Sequence, residues 1–226
     1  MTENKANSKR WIPLESNPQV LSEYLHKLGV EENVSLVDVL SPDLLDLVPR
    51  PVYAVILLYP LHNQQSTREE IKQETSVYFC KQTISNACGT VALVHAVLNN
   101  IHRISCKKNS FFDKFYTSTV HLSPHERATC LEQSEELDYL HSEFAQVGQS
   151  QAPGNTEEID LHFVTFVSQQ GKLIQLDGRL EQPVVCGNCE EENLLQEATN
   201  VIKEQFMAKD PNEVRFNILA LVHNES

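Results

Sequence analysis

The sequence predicts a mixed α+β or three-layer α/β/α domain, and two kinds of apolar pattern support this prediction. Several stretches repeat apolar residues with the period of an amphipathic helix, and several short runs are rich in the β-branched and aromatic residues of buried strands. The two patterns occur in mixed order, whereas a doubly wound sheet needs strict alternation. A length of 226 residues fits one large domain or two small ones, and we expect one.

Helices are predicted where a start signal precedes a periodic apolar stripe. Asn17 and Pro18 supply an N-cap and a proline at the first helical position, and Gly29 ends the stripe that follows. Further helical patterns cover residues 43–47, 88–100, 111–115, 126–139 and 190–209. The pattern that starts at residue 88 has almost no polar interruption, so we expect this helix to be mostly buried.

Strands are predicted at residues 52–59, 161–167, 173–176 and 216–222. The second and third lie on either side of a short segment that contains Gly171, which indicates a hairpin. No amphipathic period follows His141, so a loop is predicted at about 142–160. Residues 1–10 are predicted to be a flexible polar tail, residues 62–75 an exposed insertion, and residues 11–226 a single domain.

The charge and composition limit the classes of partner. With 31 acidic and 18 basic residues, the formal net charge is −13, which disfavours nucleic acid and anionic membrane surfaces and favours a basic partner. Solubility alone explains this charge equally well. The longest apolar run is far shorter than the roughly 20 residues that span a bilayer. The polar N-terminus lacks a secretory signal, so we expect a soluble cytoplasmic protein with reduced cysteines.

Cys88 is the leading candidate for chemistry, because it lies where the polar segment 81–86 meets the start of the buried helix. A helix N-terminus has free N–H groups and a partial positive charge, which lower the pKa of a thiol and stabilise an oxyanion beside it. Gly89 leaves the sulfur accessible. The alternative is an ordinary buried cysteine that serves as a small hydrophobic residue.

A thiol hydrolase also needs a base, and His162 is the best placed of nine histidines. It opens a predicted strand whose hairpin partner is followed by Asp177. A connecting loop of two or four residues puts the two side chains on one face as a His–Asp pair, whereas an odd-length loop leaves Asp177 in a simple turn. His95 lies seven residues after Cys88, roughly 10 Å along one helix, and is predicted to be a core histidine.

Gln82 is a candidate for the oxyanion site. It lies six residues before Cys88, where a side-chain amide can complete an oxyanion hole with the Cys88 backbone N–H, although a lone glutamine is most often a surface residue. Cys186 and Cys189 have the spacing of a redox or zinc pair, but no second pair lies near them, so no metal site is predicted. The sequence has no phosphate-binding glycine loop, and no cofactor is predicted.

The order Gln82, Cys88, His162, Asp177 resembles the active-site set of the ubiquitin carboxyl-terminal hydrolase family in its short single-domain form. The matching segments are residues 11–18, 48–51, 81–90, 161–163, 176–179 and 210–217. The resemblance implies a papain-like α/β/α core, in which helices flank a central antiparallel sheet and the chain is threaded as a knot. It also implies a cysteine-type deubiquitinase, a thiol protease of the ubiquitin conjugation pathway, in which these four residues are catalytic.

The same resemblance implies how ubiquitin, or a close ubiquitin-like modifier, is bound. The loop at about 142–160 crosses over the active site and restricts the leaving group to small or flexible adducts. The implied contact residues are Pro13, Leu14, Glu15, Ser16, Asn17, Pro18, Ala145, Gln146, Val147, Gly148, Gln149, Ser150, Gln151, Ala152, Glu213, Val214, Arg215, Phe216, Asn217 and Ile218. A monomer is expected. The rival interpretations are a ubiquitin-binding module with little catalysis and a general thiol peptidase.

Overall fold

The computed structural model describes residues 9–61, 77–147 and 160–224, and the regular elements of these residues are helices, strands and three short 3-10 turns. The helices are α1 (Pro18–Leu28), α2 (Cys88–Leu98), α3 (Phe111–Thr119), α4 (Pro124–Glu132), α5 (Glu135–Val147) and α6 (Leu194–Gln205). The strands are β1 (Val34–Asp38), β2 (Val52–Pro60), β3 (Leu161–Gln169), β4 (Lys172–Leu176), β5 (Val184–Asn188) and β6 (Asn217–His223). None of the described helices combines the length and apolar composition that crossing a bilayer requires.

The strands form one antiparallel sheet in the order β1-β6-β2-β3-β4-β5. Side chains alternate between two cores, so that Ile56 of β2 belongs to one core and its neighbours Val55 and Leu57 belong to the other. The first core contains side chains of α1 to α5, and the second contains side chains of α6. The sheet therefore lies between two helical layers, as the α/β/α prediction requires, while the knot stays a prediction.

Most predicted elements are present, and the differences have local causes. Helix α1 has the predicted N-cap, because the Asn17 side chain accepts hydrogen bonds from the backbone N–H groups of Gln19 and Val20. The helix predicted at 43–47 is a single 3-10 turn, and the one predicted at 190–209 is α6 between two 3-10 turns. The sequence does not predict β1 or β5, since each has five residues and lies at an edge of the sheet.

The region after α3 corrects two predictions. The helix predicted at 126–139 is two helices, α4 and α5, and the first part of the loop predicted at about 142–160 is helical, because α5 continues to Val147. Phe144 and Ala145 extend the buried stripe of Leu137 and His141 by one helical turn. Residues 148–159, the rest of the predicted loop, lie outside the described residues.

The start of the packed chain also differs from the prediction. The Ser85 N–H donates to the Lys9 carbonyl at 3.1 Å, Arg10 pairs with Ser85 in a parallel bridge, and the Trp11 N–H donates to the Ser85 carbonyl at 3.0 Å. Residues 9 and 10 therefore belong to the folded domain rather than to the tail. The remaining predicted tail and the predicted insertion at 62–75 fall outside the described residues.

We expect Gly29→Ala to destabilise the protein by about 3 kcal/mol, the sum of the cost of a left-handed backbone and of overpacking. Gly29 ends α1 with φ +111°, and an added Cβ would lie 2.1 Å from the Cβ of Ser110. Gly171→Ala is the matched control, because its φ is +71° but the nearest atom to an added Cβ is a side-chain oxygen at 3.6 Å. Urea unfolding should give about 1 kcal/mol for this control. Equal losses in both variants would show that the Ser110 contact is unimportant.

Candidate active site

Cys88 is the first residue of α2, and its half-buried thiol lies at the N-terminal end of that helix. The N-cap residue, Ala87, has no side-chain acceptor for the first N–H groups of the helix. The Cys88 sulfur accepts hydrogen bonds from the backbone N–H groups of Gly89 and Phe163. A sulfur held by N–H donors at a helix N-terminus is in an environment that stabilises a thiolate.

His162 and Asp177 contact each other across the β3–β4 hairpin. The strands are joined by a two-residue turn, Gln170-Gly171, and both of its residues have positive φ. This even-length turn places His162 and Asp177 on one face of the hairpin. The Nε2 atom of His162 lies 2.7 Å from Oδ1 of Asp177, and both side chains are buried. The predicted His–Asp contact is confirmed.

Cys88 and His162 shift each other's pKa. Burial raises the pKa of the Cys88 thiol, but the hydrogen bond and charge of His162, together with two backbone N–H groups, lower it below its ordinary value. Burial lowers the pKa of His162, but hydrogen bonds and charges from Asp177 and Cys88 raise it to about 9. The geometry therefore favours a thiolate beside an imidazolium at neutral pH.

Asp177 fixes which nitrogen of His162 faces the thiol. Burial raises the pKa of the Asp177 carboxyl, but the hydrogen bond and charge of His162 and the Arg179 N–H lower it below its ordinary value. The Arg179 N–H donates to Oδ1 at 2.9 Å, the same oxygen that contacts Nε2 of His162. Because Nε2 is used in this way, Nδ1 is the nitrogen that is left for the sulfur.

Gln82 lies beside the turn that follows Asp177. Its backbone N–H donates to the Gly178 carbonyl at 2.8 Å, and its side-chain Nε2 donates to the Ile84 carbonyl at 3.2 Å. A Cβ on Gly178 would lie 3.1 Å from the Cβ of Gln82, so the two segments are in close contact. The second N–H of the Gln82 amide can donate to an oxyanion.

Residues 9–14 pack over the start of α2 and form one wall of the site. The Asn86 side-chain amide donates to the Trp11 carbonyl at 3.0 Å. A Cβ on Gly89 would lie 3.2 Å from the Cβ of Leu14 and 3.4 Å from the ring of Phe163. Gly89 therefore allows the wall and strand β3 to approach helix α2. This role adds to the one predicted from the sequence, which is to leave the Cys88 sulfur accessible.

His141 connects this wall to α2, and the sequence did not single it out. Its Nε2 lies 2.7 Å from the Ile12 carbonyl, so this nitrogen carries the proton, and its Nδ1 accepts from the Thr90 hydroxyl at 2.8 Å. Its ring lies against Trp11, with 4.1 Å between ring centroids. Burial lowers the pKa of His141 to about 4, so the residue is neutral. Its only sequence signal is its helical spacing from Leu137.

The remaining histidine and cysteine candidates have structural surroundings. His95 is buried, as predicted, and its Nε2 lies 3.0 Å from the Cys80 backbone N–H. Burial lowers the pKa of His95 to about 4. Cys186 lies within β5 and Cys189 directly follows that strand, and neither cysteine forms a disulfide. Within the described ranges, no three His, Cys, Asp or Glu side chains are grouped so that they could hold a metal ion.

The implied ubiquitin-contact residues differ in exposure. Leu14, Ala145 and Ile218 are buried, so their side chains serve the core, and the Asn17 side chain caps α1. The contact residues with exposed or half-buried side chains are Pro13, Glu15, Ser16, Pro18, Gln146, Val147, Glu213, Val214, Arg215, Phe216 and Asn217. Positions 148–152 lie outside the described residues.

A surface groove lies at the third implied contact segment. It has a volume of about 320 Å³, and Phe216 and Asn217 form one side of it. Val39, Leu40 and Met207 are among the residues that line the remainder. Leu40 is 76% exposed, so an apolar side chain at this groove is open to solvent.

Comparison with known proteins identifies the family. A sequence profile described as "Ubiquitin carboxyl-terminal hydrolase, family 1" matches residues 11–208, which is most of the chain. The chain belongs to this ubiquitin carboxyl-terminal hydrolase family. The family and the enzyme class predicted from the sequence, a cysteine-type deubiquitinase, are thereby confirmed.

Relatives of this ubiquitin carboxyl-terminal hydrolase cover nearly all of the chain. A ubiquitin carboxyl-terminal hydrolase of Aplysia californica is 45% identical over 212 residues, which are 91% of this chain and 99% of the relative. A probable ubiquitin carboxyl-terminal hydrolase of Dictyostelium discoideum is 40% identical over 226 residues, which are 95% and 88% of the two chains.

The fold of this ubiquitin carboxyl-terminal hydrolase also matches a solved structure. The catalytic domain of Trichinella spiralis UCH37, bound to ubiquitin vinyl methyl ester, superimposes with a TM-score of 0.82 at 26% identity. The match covers 97% of each chain. The α+β fold is therefore that of the family's catalytic domains.

Proposed function

We propose that the protein hydrolyses the bond at the C-terminal glycine of ubiquitin through a thioester on Cys88. The observation that carries this proposal is the thiol of Cys88 at a helix N-terminus, in contact with a His162 that is paired with Asp177. The Trichinella spiralis relative, which is bound to ubiquitin vinyl methyl ester, supports ubiquitin as the partner.

In the first step, the Cys88 thiolate attacks the carbonyl carbon of the terminal glycine. The backbone N–H of Cys88 and the Gln82 amide stabilise the oxyanion. The bond from the carbonyl carbon to the nitrogen, oxygen or sulfur of the adduct then breaks, and the His162 imidazolium gives its proton to that leaving atom. The products are a free adduct and a thioester between ubiquitin and Cys88.

In the second step, neutral His162 takes a proton from water while the water oxygen attacks the thioester carbonyl. The carbon–sulfur bond breaks, and the electron pair returns to the Cys88 sulfur. Ubiquitin leaves as a carboxylic acid, which releases its remaining proton to solvent to become the carboxylate, and the thiolate and imidazolium are restored. Asp177 orients His162 and stabilises its charged form in both steps.

The three implied contact segments are proposed to bind ubiquitin, residues 13–18, 145–152 and 213–218. A net charge of −13 suits a basic partner, and the groove beside Phe216 offers apolar surface to it. We assign the binding to the exposed and half-buried members of these segments. The buried members, such as Leu14, support the backbone beneath them.

We also propose that the loop predicted at about 142–160 limits substrates to small or flexible adducts, as the resemblance implies. The natural partner is proposed to be ubiquitin or a close ubiquitin-like modifier, bound by a monomeric enzyme. A cytoplasmic location is supported by the six cysteines, none of which forms a disulfide.

Two reagents test the proposal: ubiquitin with a fluorogenic amide at its C-terminus and ubiquitin with an electrophilic C-terminus. We expect fluorophore release with the first reagent, because the thiolate is preformed. With the second we expect one covalent ubiquitin per enzyme, which peptide mass mapping should place on Cys88. A fluorogenic peptide with the ubiquitin tail sequence is the control and should be cleaved much more slowly.

Each alternative gives a different result in this experiment. Binding of ubiquitin with neither turnover nor an adduct would identify a ubiquitin-binding module. Equal cleavage of the short peptide would identify a general thiol peptidase. An adduct on another cysteine would contradict the assignment of Cys88.

A further inference from the structure

Lys81 is a buried lysine that the proposed mechanism does not use. Only 8% of its side chain is exposed, although a lysine is almost never this buried without partners. It directly precedes Gln82, the residue proposed for the oxyanion site. Its backbone N–H donates to the Pro124 carbonyl at 3.2 Å, which fixes this stretch to the start of α4.

The ammonium group of Lys81 binds the turn that follows Asp177. Its Nζ donates to the Leu180 carbonyl at 2.6 Å and to the Arg179 carbonyl at 3.4 Å. A third contact, 2.8 Å long, is made to the carboxylate of Glu181, whose side chain is 71% exposed. An ammonium has three N–H donors, so these three acceptors satisfy it in a buried position.

The two neighbouring residues 81 and 82 together hold the whole turn. The Gln82 backbone N–H donates to the Gly178 carbonyl, so the carbonyls of residues 178, 179 and 180 all accept from this pair. Hydrogen bonds from this turn also hold Asp177. The Leu180 N–H donates to the Asp177 carbonyl at 3.0 Å, and the Arg179 N–H donates to the Asp177 carboxylate. A shift of the turn therefore moves Asp177 relative to His162.

We propose that Lys81 is a positioning residue, which holds the Asp177 turn and Gln82 in one arrangement beside Cys88. The inference deepens the proposed function and rests on it. Lys81 contacts neither the thiol nor the proposed substrate bond, so it acts through two other side chains. It sets the orientation of the Asp177 carboxylate, which stabilises the charged form of His162. It also sets the position of the Gln82 amide, which donates to the oxyanion.

Lys81→Met tests the inference, because methionine has a similar length and removes all three N–H donors. We expect kcat on the fluorogenic ubiquitin amide to fall about 10-fold to 100-fold, as for a small misplacement of catalytic groups, with KM little changed. Glu181→Gln is the matched control, since it removes the exposed ion pair and keeps both carbonyl contacts. It should retain wild-type kcat.

The pH profile distinguishes positioning from two simpler effects. Loss of the Asp177 orientation lowers the pKa of His162, so the alkaline limit of kcat/KM should move to lower pH in Lys81→Met. Loss of a nearby positive charge alone would move the same limit to higher pH. A merely structural role would lower the melting temperature and leave the limit in place.

A second variant, Gly178→Ala, tests the contact between Gln82 and the turn after Asp177 by changing the turn. The added Cβ would lie 3.0 Å from Val91 and 3.1 Å from Gln82, so it should separate the turn from Gln82 and lower kcat in the same way. If Lys81→Met folds and has the wild-type kcat and pH profile, the inference is overturned. If Lys81→Met does not fold, a wild-type kcat and pH profile in Gly178→Ala overturns the inference instead. If the wild-type enzyme does not turn over the fluorogenic ubiquitin amide, the proposed function is wrong, and this inference is wrong with it.

Discussion

Cys88→Ala is expected to lower kcat on the fluorogenic ubiquitin amide by at least about 10⁴-fold, because an alanine methyl group cannot attack the glycine carbonyl or form the thioester. The affinity for ubiquitin should remain close to that of the wild type, since Cys88 is not among the residues to which ubiquitin binding is assigned. Steady-state kinetics and calorimetric titration with ubiquitin measure the two effects separately.

Cys106→Ala is the control for this prediction. Cys106 is also half-buried, but burial, with the charges of Asp113 and Glu31, raises the pKa of its thiol to about 11. It should therefore react slowly with iodoacetamide at neutral pH, whereas Cys88, whose pKa is lowered, should react first. Turnover that survives Cys88→Ala, or that is lost in Cys106→Ala, would contradict the assignment of the nucleophile.

Asp177→Asn is expected to lower kcat/KM by about 100-fold or more, because His162 then loses both its orientation and the charge that stabilises its imidazolium. The direction of the pH effect follows from the pKa of His162, which Asp177 and Cys88 raise to about 9 against the effect of burial. Without the carboxylate this pKa falls. Imidazolium is then lost at lower pH, so the alkaline limit of kcat/KM should move to lower pH.

The control for Asp177→Asn is Asp43→Asn. Asp43 is exposed, and its carboxylate lies 3.7 Å from the ammonium of Lys203, far along the chain from the site. This variant removes the same charge from the protein and should keep the wild-type profile. If both variants behave alike, the effect of Asp177 is one of total charge and not of its contact with His162.

The parts of the site that the sequence predicts are those set by local rules. Cys88 at a helix start follows from the apolar pattern of α2, and the pairing of His162 with Asp177 follows from side-chain alternation once the hairpin has an even turn. The sequence alone does not determine the turn length, because the segment between the predicted strands fits more than one register. The Gln170-Gly171 turn decides it.

The parts that could not be predicted depend on contacts between distant segments. Lys81 contacts backbone carbonyl groups that are about 100 residues away along the chain. Every residue has a backbone carbonyl, so the residue types do not indicate which ones accept this contact. The wall formed by residues 9–14 rests on His141 and Gly89, which the sequence shows only as a helical position and a small residue. The predicted helix ends at residue 139, short of the end of α5, because the polar residues Ser142 and Glu143 interrupt the apolar pattern before Phe144 and Ala145.

The place of β6 in the sheet bears on how the protein is made. This strand is the last of the six to leave the ribosome, yet it lies between β1 and β2, which are synthesised early. Until it arrives, β1 has no neighbour in the sheet and one edge of β2 is open. The wall, the nucleophile and the His–Asp hairpin are all translated before that moment. A nascent chain therefore carries every proposed catalytic group while its sheet is still incomplete, and activity should begin only after β6 has been inserted.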